Sequence, residues 1–325
     1  MKAIVCKKYG PPSDLVFEDV ANPIPKKDEV LIQVKACGVN FPDTLIIQGL
    51  YQFKPQLPFV PGSDVAGIVK EVGSEVNHLK VNDEVFGFVM QGGYAEEVVV
   101  PANVCFKKPP KMPFSIASSF MVAYGTSYHA LKDRASIKSG ETLLVLGASG
   151  GVGLAAVELG KLMGAKVIAA ASSEEKLELC KQYGADEVIN YVNEDLKSKV
   201  KELTNSKGVD VVYDPVGGDY SEIALRCMSW EGRYLVIGFA AGTIPKIPLN
   251  LTLLKGCSIV GVFWGSFAMK SPKENLGNTM QLMKWLGEEK LRPHIHKVYE
   301  LNEAPNALEE MMHRKVKGKV VIQCS

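Results

Sequence analysis

Between Glu141 and Val262 six short apolar runs alternate with segments of helical length and periodicity. The runs are Thr142–Leu146, Lys166–Ala171, Val188–Ile189, Val209–Tyr213, Tyr234–Ile237 and Ser258–Val262. A strand that is apolar on both faces must be covered on both faces, and helices between such strands can cover them only if the strands run parallel. Six parallel strands with intervening helices predict a doubly wound α/β domain of the Rossmann kind, which binds a dinucleotide where its strand order reverses. The first 120 residues read differently. Val30 to Val34 alternates, Val65 to Val72 is β-branched around Gly67, and Glu97 to Val100 follows Gly92-Gly93-Tyr94-Ala95. Proline and glycine pairs punctuate these runs, predicting a β-rich barrel or sandwich. After residue 265 Met280, Leu282, Met283, Trp285 and Leu286 fall at helical spacing, and a last strand, Lys319 to Gln323, is expected to return to the first domain. The expected division is therefore 1–124 with 266–325 for the β-rich domain, and 125–265 for the Rossmann domain.

The first apolar run ends in a glycine turn, Gly147-Ala148-Ser149-Gly150-Gly151-Val152-Gly153, and a helical pattern starts near Gly151. Glycines at 147, 150 and 153 suit a tight turn, bare backbone against a pyrophosphate, and close packing of helix on strand. The free amides and dipole of the helix start favour an anion. In proteins that prefer NAD an acidic residue stands about 20 residues further on and accepts the ribose hydroxyls. Here that place falls in Ser172-Ser173-Glu174-Glu175-Lys176. Small hydroxyls replace a carboxylate that would repel a 2′-phosphate, and Lys176 follows one helical turn on. The expected cofactor is NADPH. The same residues also read as a capping box from Ser172 to Glu175, with Lys176 as plain helix surface. One glycine turn accounts for one dinucleotide and implies no flavin.

Composition narrows the remaining choices. Thirty-seven basic and 36 acidic residues leave a net charge of +1 with no basic stripe, so nucleic acid has no electrostatic footprint here. The seven cysteines are scattered, and no C-x-x-C pair occurs, which argues for free thiols in a reducing, cytosolic compartment. No apolar run approaches the length of a membrane span.

Several motifs in order resemble the zinc-independent quinone oxidoreductase branch of the medium-chain dehydrogenase/reductase superfamily. They are Met1-Lys-Ala-Ile-Val, Ala36-Cys-Gly-Val-Asn40, Pro58-Phe-Val-Pro-Gly-Ser-Asp-Val-Ala-Gly67, Gly125-Thr-Ser-Tyr-His-Ala-Leu131, the glycine turn, Asp214-Pro-Val-Gly-Gly218 and Gly318-Lys-Val-Val-Ile322. The resemblance implies a GroES-like catalytic domain built from both chain ends, a Rossmann domain between them, and a homodimer paired through the last Rossmann strands. It implies that Asn40 and Tyr51 line the nicotinamide side of the site and donate hydrogen bonds, with Asn40 also touching the cofactor. It places Thr126 beside the cofactor and Tyr191 near the adenosine phosphate. Gly238 and Phe239, with Phe263, Trp264 and Gly265, would flank the nicotinamide; core and dimer-edge packing is the simpler reading for Phe263 and Trp264.

Departures from the alcohol dehydrogenase branch are as informative. Where that branch has a zinc-ligating cysteine this chain has Asn40, and Gly-His-Glu appears as Gly62-Ser63-Asp64. Cys37 reads as a buried strand thiol and His129 as a packing residue on a helix, so no metal is expected. Without a Lewis acid, simple alcohols and ketones are poor reactants. Quinones, enones and enoyl thioesters accept hydride readily and need only hydrogen bonds to the developing oxyanion. Three readings follow: an NADPH quinone reductase, an enone or acryloyl-CoA-like reductase with Tyr51 as proton donor, and a non-enzymatic NADPH-binding structural or partner-binding protein.

Overall fold

The computed structural model describes residues 1–324. They divide into two units, Met1–Val122 with the segment from Pro293 onward, and Ala123–Arg292. In chain order the first unit begins with β1 (Lys2–Val5), β2 (Val16–Asp19), β3 (Glu29–Val39), α1 (Phe41–Ile46), β4 (Asp64–Val72), β5 (Glu84–Phe88), β6 (Glu97–Pro101), β7 (Cys105–Lys107) and α2 (Phe114–Ala117). Helix α3 (Met121–Tyr128) leads into the second unit. There follow β8 (Thr142–Leu146), α4 (Gly151–Leu162), β9 (Lys166–Ala171), α5 (Glu174–Gln182), β10 (Glu187–Asn190) and α6 (Leu196–Leu203). The unit continues with β11 (Val209–Asp214), α7 (Asp219–Arg226), β12 (Met228–Val236), α8 (Asn250–Lys255), β13 (Ser258–Gly261), α9 (Trp264–Lys270) and α10 (Pro272–Gly287). The chain then returns to the first unit with β14 (Ile295–Glu300), α11 (Ala304–Met312) and β15 (Lys319–Gln323).

The second unit is one parallel sheet in the order β10-β9-β8-β11-β12-β13. Its first strand lies inside, and the order reverses between β8 and β11, which opens a crevice at their carboxyl ends. Leu143 to Leu146 in β8 and Val167 to Ala170 in β9 have no solvent exposure, as strands covered on both faces require. Each large side chain so buried contributes roughly 1.5–3 kcal/mol relative to exposure.

In the first unit β14-β15-β3-β4-β5-β7 form one sheet, with β6 also paired to β3. β3 carries the sheet: β15 lies antiparallel along its second half with Val320 opposite Val39, and β4 runs antiparallel with Asp64 opposite Gly38. Gly38 is glycine because a Cβ there would sit 2.1 Å from the Ser118 carbonyl oxygen.

Two expectations need correction. Residues 266–292, assigned from sequence to the first domain, group with the second unit. α10 is held there by its buried polar residues: Asn275 accepts from Trp264 Nε1 at 3.0 Å, and Asn278 exchanges hydrogen bonds with Lys132 and Asp133 at 2.7 Å. Strand β12 begins six residues earlier than Tyr234, at Met228, because exposed Trp230 and Glu231 interrupt its apolar pattern.

Candidate functional site

The glycine turn joins β8 to α4. Gly147 has φ +55°, a left-handed conformation that glycine adopts without strain. Its carbonyl oxygen accepts from Gly150 N at 3.0 Å, and Gly150 stands immediately before the helix. Gly153 packs directly under the turn, where a Cβ would meet Gly147 O at 2.3 Å and Ala148 Cα at 2.9 Å. Ser149 is buried, and Gly151 and Val152 open α4. Ala148 N donates to Ala170 O on the neighbouring strand at 3.1 Å. Thr126 is tied to this region by its neighbour Ser127, whose Oγ lies 2.9 Å from Val152 O and 2.8 Å from Tyr213 Oη.

The end of β9 supplies the second part. Ser173, not Ser172, caps α5: its Oγ accepts from Lys176 N, because the helix begins at Glu174. Ser172 is therefore released from capping, and Lys176 Nζ folds back to within 3.2 Å of its Oγ. Tyr191 N donates to Ala171 O at 3.2 Å, which brings Tyr191 beside the same strand end, its ring 4.5 Å from that of Tyr220. A hydroxyl and an ammonium thus meet just past β9, with Tyr191 at the neighbouring strand end, while the adjacent carboxylate of Glu174 accepts from Asn190 Nδ2 at 2.7 Å. Replacing the cap with Ser173→Ala is expected to cost about 1 kcal/mol, read as a small fall in the thermal midpoint.

Gly238 N donates to Asp214 O at 3.3 Å, so Gly238 and Phe239 leave β12 beside the end of β11. Asp214 anchors that end: its Oδ1 accepts from Val216 N and Gly217 N, and its Oδ2 from Ser221 and Tyr234. Gly265 lies in the first turn of α9. Trp264 opens the same helix but packs inward, its ring filling the space left by Gly125. Phe263 is half exposed. Packing therefore accounts for Trp264, and Phe263 alone of the pair presents surface.

In the first unit Asn40 follows β3 as the residue just before α1 and is buried. Asp43 Oδ2 accepts from Asn40 N at 2.8 Å and from Tyr94 Oη at 2.9 Å. Lys319 Nζ, also buried, donates to Asn40 Oδ1 at 2.5 Å and Val39 O at 3.0 Å. Burial pushes the Asp43 carboxyl up to about 6, against hydrogen bonds that favour its charge. Asp64, wholly buried, is pushed up to about 7 by the same desolvation, with the Lys319 charge working the other way. Tyr51 packs against this core from the loop after α1, and burial followed by the Asp43 charge raises its phenol. Sequence reasoning did not identify Asp43, Tyr94, Lys319 or the placement of Asp64. Only Asp43 carried a local signal, the Asn-x-x-Asp spacing of a helix start.

The donor set for zinc does not fit. Asn40 and Ser63 stand where ligands would, and among the described residues no three His, Cys, Asp or Glu side chains gather as a metal site. His129 stacks on Phe267 and pairs with Asp133 at 2.9 Å. Cys37 is a buried thiol whose pKa desolvation raises well above the ordinary range.

A reversed strand order over a bare glycine turn in one unit, with a β sheet in the other unit completed by the returning chain, is the arrangement of the medium-chain dehydrogenase/reductase class. Residues 26–110 match the alcohol dehydrogenase GroES-like domain, and residues 151–285 match the zinc-binding dehydrogenase family. The chain is 41% identical to a quinone oxidoreductase-like protein 2 homolog of Nematostella vectensis, over 99% of this chain and 88% of that one. It is 36% identical to human quinone oxidoreductase, over 99% and 97% of the two chains. The crystal structure of Escherichia coli quinone oxidoreductase complexed with NADPH superposes with TM-score 0.93 at 30% identity, covering 99% of this chain and all of that one. The chain belongs to the quinone oxidoreductase branch of the medium-chain dehydrogenase/reductase superfamily and is an oxidoreductase.

Proposed function

We propose that the protein reduces small quinones or conjugated carbonyls with NADPH, by direct hydride transfer and without zinc. The observation that carries this reading is the pairing of a bare glycine turn with Ser172 and Lys176 at the end of β9, where NAD-preferring relatives place an acid. The NADPH complex of the E. coli relative supports it.

Gly147, Ser149, Gly150, Gly151, Val152 and Gly153 would receive the pyrophosphate. Ser172, Ser173 and Lys176 would receive the 2′-phosphate, with Tyr191 at the adenosine end. Thr126, Gly238, Phe239, Phe263 and Gly265 would border the nicotinamide. When bound, reduced NADPH supplies a hydride. Asn40 donates from its amide to the substrate oxygen as negative charge grows on it, which lowers the barrier only in the transition state. Tyr51, held protonated at neutral pH, supplies a second donor. No Lewis acid enters these roles, so substrates must already be electrophilic.

The reading includes a homodimer through the edge strand β13, supported by the exposed Ile259 there and by Leu253 and Leu254 on α8. Seven unpaired cysteines support a reducing, cytoplasmic setting. A second reading, reduction of enones or enoyl thioesters with Tyr51 as proton donor, draws on the same residues. A third, an NADPH-binding protein without turnover, retains only the second unit's site.

The test is kcat/KM with NADPH and NADH against 1,4-quinones, enones and acyl thioesters, with metal analysis of the purified protein. Expected are a preference for NADPH of at least about tenfold, the highest rates on quinones, and no stoichiometric zinc. A preference for NADH overturns the cofactor assignment, and rapid thioester reduction with feeble quinone turnover selects the second reading. Binding without any turnover selects the third.

A further inference from the structure

Asn40 can do the work assigned to it only if the correct end of its side chain faces the substrate. A carboxamide has an acceptor oxygen and a donor nitrogen of nearly equal size, and half a turn exchanges them. A developing oxyanion requires the nitrogen. We infer that Lys319 is a positioning residue that locks the Asn40 carboxamide with its NH2 presented, and so sets the polarity of the site. The inference rests on the oxyanion role proposed for Asn40.

Strand β15 brings Val320 opposite Val39 on β3, and one step further Lys319 comes opposite Asn40. Lys319 Nζ lies 2.5 Å from Asn40 Oδ1 and 3.0 Å from Val39 O. Both partners are carbonyl oxygens, so Nζ commits two hydrogens to them. An ammonium has donors and no acceptor. Turning the amide around would set NH2 against NH3⁺, so only one orientation is favourable. With Oδ1 held, Nδ2 gives one hydrogen to Gly38 O at 3.3 Å and keeps the second for an incoming oxygen. The charge on Lys319 also polarises the amide and strengthens that second donor.

A buried ammonium needs compensation. Asp64 from β4 and Asp43 from α1 provide it, with Cys37 of β3 the remaining titratable neighbour. Asp43 simultaneously holds the Asn40 backbone, so the residue is fixed at both its main chain and its side chain. Asp64 Oδ1 is the one buried side-chain nitrogen or oxygen among the described residues without a hydrogen-bond partner. The Lys319 charge favours its ionised form against the desolvation that disfavours it, which explains a carboxyl kept at this place in the core. Lys319 is the one charged residue in the buried part of β15, whose next three residues, Val320, Val321 and Ile322, are all fully buried.

The test is a double-mutant cycle, with NADPH and 1,4-benzoquinone as the assay. Lys319→Met is expected to lower kcat about 30-fold, a fraction of the 10²–10³ lost with a complete oxyanion donor. The NADPH dissociation constant should stay within about twofold of wild type. In the Asn40→Ala background the same substitution should cost nothing further, because it acts through the amide. Lys319→Arg, which also only donates, should recover most of the rate. Equal losses in both backgrounds, or no loss in the wild-type background, overturn the inference. If Lys319→Met does not fold, Lys319→Met/Asp64→Asn removes cation and counter-charge together and enters the same cycle.

A readout without turnover separates this inference from the proposed reaction. The Asn40 side-chain ¹⁵N–¹H pair, assigned by its loss in Asn40→Ala, should give one sharp set of signals in the wild type. It should shift, and split or broaden, in the Lys319 variant; unchanged signals overturn the inference even if no quinone is reduced. A full-rate Asn40→Ala enzyme withdraws the oxyanion role and the inference with it, while its turnover leaves the reductase reading standing.

Discussion

Gly153→Ala is expected to weaken NADPH binding at least about 100-fold, close to 3 kcal/mol. The added methyl would sit 2.3 Å from Gly147 O and 2.9 Å from Ala148 Cα. Both neighbours are backbone, so neither can swing aside as a side chain would. Restoring ordinary contact moves the start of α4 off the turn by about 1 Å, at an overpacking cost of roughly 1–3 kcal/mol. The amides that would receive the pyrophosphate move with it. Gly277→Ala on α10 is the control, since a Cβ there meets nothing within 4 Å and lies outside the proposed cofactor site. Fluorescence titration with NADPH, alongside thermal denaturation, distinguishes lost binding from lost folding. A Gly153→Ala protein that binds NADPH as tightly as wild type would remove this turn from the cofactor site.

The second large effect is a pH dependence of stability centred on Asp64. Its carboxyl is raised to about 7 in the folded protein, whereas an unfolded aspartate titrates near about 3.9. Between these values the folded state holds a proton that the unfolded state does not, so this contribution is present at low pH and lost as pH rises toward 7. Lys319 has the opposite sign, because burial lowers its value and stability then rises with pH toward the ordinary lysine range. Asp64→Asn removes the first titration. Relative to wild type, the variant should gain about 3 kcal/mol of unfolding free energy between pH 5 and 8. His129 and His294, both lowered by burial, and Asp43, raised to about 6, are common to the two proteins and enter both curves. Urea denaturation at several pH values provides the measurement. A difference that stays flat would mean that Asp64 remains ionised throughout.

The second unit was legible in its sequence because its signals are local. Strand, turn and helix around Gly147 follow within 20 residues, and each of the six parallel strands has its own apolar run. β15 was likewise read with its observed bounds, Lys319 to Gln323. Where a strand carries exposed residues, as β12 does at Trp230 and Glu231, the run shortens and so does the strand read from it. The Ser172–Ser173 pair shows the limit of motif reading. Either serine could cap a helix, and only the observed start at Glu174 assigns that role to Ser173 and frees Ser172. The site in the first unit was half legible. Asn40 was visible in its motif, but Lys319, 279 residues away, was only the first residue of a closing strand. Periodicity cannot report a contact set by strand register between the two ends of a chain. The buried polar residues of α10 misled in the same way, since Asn275, Asn278 and Thr279 look solvent-facing until their partners are known.

The place of β15 has a consequence for how the chain acquires its shape. This strand lies between β14 and β3, inside the first unit's sheet, yet it is synthesised after almost all the rest. The first 122 residues cannot close their hydrogen-bond ladder during translation until more than 318 residues exist. Until then half of the long strand β3 offers an unsatisfied edge to any neighbour. The second unit has all its strands in one continuous stretch and can fold while the first waits. Premature termination or proteolysis at the last strand would therefore leave a formed nucleotide domain joined to an unfinished, adhesive sheet.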